Sequence, residues 1–248
     1  MKNRSKGIAL VIIALILVAV IVVAGVVVYF VVFAPKPGEG PGPGPGPGFQ
    51  ITEIEDYGDL VNIVSHIKYK FISYVEGETS VTTITFDDLG DDLVNGYACR
   101  KLGILIDSDG YVQEITAWVL KSDWTTLKKL VFNGQIVPEE ELPLYNYIES
   151  FVLWPFITFH TWGIYWVQIP PAIGTLTYMG SEGKVYGATA LTVNKWHFIP
   201  NPTYEPLEDI NEIDVWQGQT GNYYILTYFK VMYKDSSYII FELLELTL

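Results

Sequence analysis

Hydrophobic and polar positions follow three successive regimes along the 248 residues. From Gly7 to Ala34 no charged side chain occurs, and the run is apolar on every face. About 20 helical residues cross a hydrocarbon core of about 30 Å, so the run predicts a transmembrane helix over 8–34. Residues 35–48, PKPGEGPGPGPGPG, hold nothing that can enter a core. Proline at alternate positions favours an extended conformation that the glycines soften, giving a stalk of up to roughly 40 Å. From Phe49 onward the apolar residues recur with the periods of folded elements, so 49–248 is read as one domain.

That domain opens on DYGDLVNIVSHIKYKF, where Leu60, Ile63, Val64 and Ile67 have helical spacing and Asp56 or Asp59 is available as a cap. From Tyr69 the period shortens to that of strands. YKFISYVEGETSVTTITF is two β-rich runs around Glu76-Gly77-Glu78, and YACRKLGILIDSDGYVQEITAWVL is two more around Asp107–Gly110. The KSD turn then leads into WTTLKKLVFNG, giving five strands by residue 133. A similar outline follows residue 174. LTYMGSEGKVYGATALTV (176–193) resembles 84–102 in pattern, VWQGQTGNYYILTYFKV (215–231) resembles 117–132, and YIIFELLEL forms a last strand. The expected fold class is mainly β: a transmembrane helix plus one antiparallel domain of about ten strands, curved as an open half-barrel. Two similar halves, about 55–134 and 174–248, flank an apolar connector at 143–173.

The connector carries no charge from Ser150 to Ser181. Pro143 suits the first turn of a helix, Leu144, Tyr147, Ile148 and Phe151 have helical spacing, and Pro155 ends it. A second membrane span would have to bury Pro155, His160, Gln168, Pro170 and Pro171, so a helix and lid packed into the concave face is the better reading.

Charge fixes the orientation. Lys2, Arg4 and Lys6 precede the apolar run and only Lys36 and Glu39 follow closely, which places residues 1–7 in the cytoplasm and 35–248 outside. The run is longer than the apolar core of a cleaved secretory signal, and Pro35 directly follows Val32-Phe33-Ala34. Cys99 is the single cysteine, so no lipid-anchor cysteine and no internal disulfide exist; its strand-like surroundings read as a buried, inert thiol. Beyond Phe49, 11 Lys and Arg face 27 Asp and Glu, a net charge of −16. That balance excludes nucleic acid as a partner and adhesion to an anionic membrane surface.

The head of the chain supports a second class of function. NRSKGIALVIIALILVAV resembles the class III leader of archaeal type IV pilins and archaellins, a short basic head ending in Lys-Gly before an unbroken apolar helix. That resemblance implies a cut between Gly7 and Ile8 and a helix packed in a filament core.

Catalytic chemistry finds no footing. His66, His160 and His197 each stand alone among apolar or aromatic neighbours, without the spacing of a zinc site. FDDLGDD (86–92) clusters four carboxylates, and DSDG followed by Glu114 lacks the ligand sequence of a calcium loop. Both read as solvated turns, a weak divalent site being the alternative. No nucleophile elbow, dinucleotide fingerprint or phosphate loop occurs. No enzyme activity, cofactor or metal is expected.

Aromatic residues are the better lead: 17 Tyr, 12 Phe and 7 Trp. Trp118, Trp154, Trp162, Trp166, Trp196 and Trp216 are the candidates for lining an apolar-ligand site, although an ordinary aromatic core accounts for them as well. AWVLKSDWTTLKKLVFNG (117–134) is similar to a recurring hairpin of the lipoprotein-carrier superfamily. The resemblance implies an open half-barrel that binds acyl chains or lipids in its concave face without catalysis, and it carries over no binding residue. A membrane anchor departs from that pattern, because periplasmic carriers diffuse freely. The expected function is a membrane-anchored extracytoplasmic binding module for a lipid or other apolar ligand, with the bilayer as partner through 8–34. A pilin-like filament or cell-surface structural subunit is the alternative.

Overall fold

Tight turns built on X-Gly pairs generate most of the fold. Glu76-Gly77, Asn95-Gly96, Asp109-Gly110 and Asn133-Gly134 each place two successive residues at positive φ, from 49° to 86°. Two positive φ angles in a two-residue turn match the right-handed twist of the strands they join. The computed structural model describes residues 63–145, 159–160, 171–220 and 223–248, which all belong to one compact unit.

The first meander comprises β1 (His66–Val75), β2 (Glu78–Val94), β3 (Tyr97–Ser108), β4 (Tyr111–Leu120), β5 (Asp123–Phe132) and the two-residue β6 (Gln135–Ile136). A short 3-10 helix, Glu139–Tyr145, and β7 (Phe159–His160) come next. The second meander runs through β8 (Gly174–Tyr186), β9 (Thr189–Pro200), β10 (Ile210–Thr220), β11 (Tyr223–Tyr233) and β12 (Tyr238–Thr247). All pair antiparallel in one open sheet of order β6-β5-β4-β3-β2-β1-β12-β11-β10-β9-β8, with β7 attached to β11 off that path. Pairing of the first strand with the last joins the two meanders, His66 facing Thr247 and Tyr74 facing Tyr238. At the far tip, Gly187 bridges to Leu246 and the Thr189 hydroxyl donates to the Leu246 carbonyl at 2.9 Å.

Directly paired residues share a face of the sheet. One face carries the row Val215, Phe229, Phe241, Phe71, Thr82, Ser108, and a second row through Ile67, Phe86, Ile104 and Ile115. Tyr69 and Phe71 pack on Phe241 with ring centroids 4.3 and 5.0 Å apart. Full burial of such side chains stabilises by about 1.5–3 kcal/mol each. The opposite face carries Trp216, Tyr228, Glu242, Lys70, Thr83 and Asp107, laced by cross-strand pairs such as Lys68–Glu245 (3.1 Å) and Lys230–Glu212 (3.3 Å).

Ten long strands match the expected number, and several expectations change in detail. Ile67 lies in β1, paired to Phe86 and Leu246, so the helical spacing through Leu60, Ile63 and Val64 does not extend to it. Ile63 and Val64 are not helical either, and the part of the expected helix before residue 63 lies outside the described residues. FDDLGDD is not a loop but the middle of β2, where a bulge between Asp88 and Asp91 places Gly90 at φ 85°. Pro143 sits inside a 3-10 helix rather than at the first turn of an α-helix. Within the expected lid, Phe159 and His160 form a strand against Ile225 and Tyr224. The rest of the lid, the transmembrane helix over 8–34 with its leader and the stalk over 35–48 lie outside the described residues. Among those described, no helix is long and apolar enough to cross a membrane.

Candidate functional site

The bulge in β2 organises the carboxylates that follow it. Asp88 accepts from Arg100 through Nε at 2.7 Å and through the guanidinium NH2 group, and it caps the bulge by accepting the Gly90 N–H at 3.0 Å. Asp91 accepts from Arg100 at 2.7 Å and from Lys121 Nζ at 2.6 Å. These two donors hold the Asp91 carboxyl below its ordinary range, Lys121 contributing most. In return, Asp88 and then Asp91 hold the Arg100 guanidinium firmly charged against its partial burial. Asp87 Oδ1 lies 2.7 Å from His66 Nδ1 across to β1, as the acceptor of that pair. The acidic cluster is therefore a set of individually paired carboxylates. Among the described residues no group of three or more His, Cys, Asp or Glu could hold a metal ion. In the DSDG turn, Asp107 accepts the Gly110 N–H at 3.0 Å, the role of a turn cap.

Two of the three histidines are likewise not alone. His66 also lies 3.5 Å from Glu245 through Nε2, and His197 faces Asp214 at 2.8 Å on the neighbouring strand. Sequence neighbours misled here because the partners lie across strands, 17 to 21 residues away or farther. His160 contributes its backbone to β7.

Asp92 leads into the most developed cluster. Trp118, on β4, has Lys101 of β3 and Lys129 of β5 as its direct partners on the polar face. The two ammonium groups stand 5.3 and 4.4 Å from its ring centroid, within the range of cation–π attraction. The indole N–H donates to Asp92 Oδ2 at 2.7 Å, and the Leu93 N–H donates to Asp92 Oδ1 at 2.8 Å. Those two bonds, the indole first, hold the Asp92 carboxyl below its ordinary range, helped by Lys101 and Lys129. The ring is thereby fixed in one orientation and buried to 6 % exposure.

Beside it opens a groove of about 430 Å³. Trp118, Val94, Val137 and Leu142 form its apolar lining, with Lys128, Lys129, Asp92 and Glu139 among its polar groups. The 3-10 helix supplies Leu142 and Glu139, and the Asn95-Gly96 turn and β6 supply the rim. Leu93 and Ile136 stand on that rim at 71 % and 68 % exposure, large apolar side chains presented to solvent. Lys128 Nζ lies 4.3 Å from the Tyr97 ring. Ligand sites of this kind pair apolar walls with a few placed polar groups, in volumes of about 300–1,000 Å³.

The candidate tryptophans divide. Trp216 occupies the corresponding place in the second meander: it faces Lys195 of β9 at 4.4 Å and stacks on Tyr228 at 4.3 Å. Trp196 pairs with Val215 and so belongs to the apolar face, buried to 3 % beside Tyr178. Trp118 and Trp216 share the polar face, so the three do not converge on one site. Trp154, Trp162 and Trp166 lie outside the described residues. Sequence reasoning passed over Leu93, Ile136, Lys101, Lys128 and Lys129; the signal was the lysines of CRKL and LKKL flanking a strand tryptophan.

No family model matches the chain, and no curated protein matches it. Solved structures share its outline faintly. A DUF1329 family protein from Desulfovibrio piger is 9 % identical, covers 75 % of this chain and 86 % of its own, and has a TM-score of 0.25. A candidate lipoprotein from Parabacteroides distasonis is 10 % identical over 80 % of this chain and 97 % of its own, with a TM-score of 0.27. MucB, in complex with MucA(peri), is 10 % identical over 78 % of this chain and 94 % of its own, with a TM-score of 0.15. Likenesses of this degree assign neither a family nor a ligand.

Proposed function

We propose that residues 49–248 form a non-enzymatic binding module, held outside the cytoplasm by the helix over 8–34 on the stalk over 35–48, which takes up an apolar ligand close to the membrane. The groove beside Trp118 carries this reading. It exposes Leu93 and Ile136 at the mouth of a cavity of about 430 Å³, and exposed apolar surface rimmed by polar groups marks interaction sites. The apolar face of the sheet is the poorer seat, because Phe71, Phe241, Tyr69 and Trp196 already pack on described neighbours there. The half-barrel curvature expected for 55–134 and 174–248 agrees with the tip contact from Gly187 to Leu246.

Native mass spectrometry of the full chain, released from neutral-lipid nanodiscs, tests the reading. Co-purifying apolar mass that disappears in Leu93→Asp/Ile136→Asp supports it. A protein that carries no such mass, and takes up none from added single-chain amphiphiles, overturns it. N-terminal sequencing tests the topology: an intact Met1 fits the membrane anchor, and a start at Ile8 favours a filament subunit instead.

A further inference from the structure

Charge around the groove is balanced, two lysines against two carboxylates, where the rest of the domain is acidic. Beyond Phe49 the net charge is −16, so carboxylates are plentiful and most basic residues find one. Among the described residues Lys68, Lys70, Arg100, Lys121, Lys195 and Lys230 each lie within 4 Å of an Asp or Glu oxygen. Five of the 11 Lys and Arg do not: Lys101, Lys128, Lys129, Lys184 and Lys234. Three of those five border the groove or the tryptophan that floors it. Lys129 and Lys101 flank the Trp118 ring, and Lys128 rests over Tyr97. Stacking on a ring fixes the stem of a lysine while its ammonium group keeps donors to spare.

The lining also holds two carboxylates, equal in number to its two lysines. Asp92 accepts from the Trp118 indole and the Leu93 N–H and also feels the charges of Lys101 and Lys129, while Glu139 is exposed at the start of the 3-10 helix. An apolar trough that ends at two preoriented ammonium groups suits a molecule with a hydrocarbon body and an anionic head. We propose that the groove binds a single-chain anionic amphiphile of the fatty-carboxylate class, its chain along Trp118, Leu93 and Ile136 and its carboxylate on Lys128 and Lys129. This proposal rests on the binding-module reading above and adds the charge of the head group.

The test uses the full chain in phosphatidylcholine nanodiscs, with empty nanodiscs as the partition control. Equilibrium dialysis measures binding of labelled decanoate and of its neutral glycerol ester, monodecanoylglycerol. Decanoate is expected to bind at least 10-fold more tightly than the ester at low salt, and 0.5 M NaCl should erode that preference. Lys128→Gln/Lys129→Gln should bring the two ligands to near parity while leaving ester binding in place. Equal affinity in the unaltered protein, or a preference that survives the double substitution, would sink the anionic-head proposal. Ester binding that is lost in Leu93→Asp/Ile136→Asp would still uphold the module. Failure of both ligands to bind above the control overturns both readings.

Discussion

At the scale of single residues, several carboxylates are each matched to a donor, on a neighbouring strand, two strands away or within the same turn. Asp91, Asp92, Asp235 and Glu245 are all held below the ordinary carboxylate range, by Lys121, Trp118, Ser237 and Lys68 respectively as the first cause. A lowered folded value means the unfolded chain takes up protons first as pH falls. Their stabilising contribution is therefore complete above the ordinary range and lost below about pH 4. Denaturation midpoints should hold steady from pH 7 to 5 and fall between pH 4 and 3; a midpoint unchanged at pH 3 contradicts the pairing. Burial pushes the Tyr228 and Tyr233 phenols up, so stability should fall again once pH exceeds about 10, read from the same titration. Arg100 permits a sharper test, since Asp88 beside it is only 10 % exposed. Arg100→Met should lower stability by about 2 kcal/mol in urea denaturation. Arg100→Lys should restore less than half, because an ammonium group cannot bridge Asp88 and Asp91 as the guanidinium fork does. The partnerships that cross strands were not legible in the chain itself. FDDLGDD shows four acids, but their partners His66, Arg100, Lys121 and Trp118 are fixed only by strand register.

At the scale of elements, turns were the readable part and departures from regular strands were not. Asp109-Gly110 and Glu76-Gly77 announce their hairpins, because a two-residue turn with two positive φ angles needs glycine at its second position. The bulge at Leu89-Gly90 is hidden, since an internal glycine among acids looks the same as a loop. Ile67 illustrates the other failure: a helix period of four residues fits by chance where the β1 pairing takes over. Close strand packing gives one position its own test. A Cβ on Gly218 of β10 would lie 2.6 Å from Leu191 Cδ1 and 2.9 Å from Thr227 Cγ2. Gly218→Ala should cost about 1–3 kcal/mol by overpacking, and Leu191→Val in the same chain should recover part of it. Equal and additive losses in thermal denaturation would show that the contact at Gly218 is not limiting.

At the scale of the whole domain, everything turns on the seam between β1 and β12. Its partners lie about as far apart in sequence as the described residues allow, His66 opposite Thr247. Contacts that close such long loops form slowly, so refolding should take on the order of seconds rather than milliseconds; stopped-flow fluorescence decides this. Deleting residues after Lys234 removes β12 and strips Tyr69 and Phe71 of Phe241. Near-ultraviolet circular dichroism should then show lost packing in both meanders, whereas a surviving native signal would make the halves independent. The two meanders themselves could be read from the repeated hairpin pattern, but their order in the sheet could not. Local patterns name strands, and nothing in YIIFELLEL specifies that its neighbour is HIKYKFISYV.

That seam also decides how the domain meets mechanical tension. The chain enters the β1–β12 ladder at His66 and leaves it at Thr247, on facing rungs. The proposed anchor, pulling on the beginning of the chain, would by itself pass no load across them. A partner that gripped Leu248 and pulled away from the anchor would load the rungs one after another, like a zip. The sheet would then part at its middle and release two meanders with exposed edges, while the groove on β2 to β6 kept its own strands together.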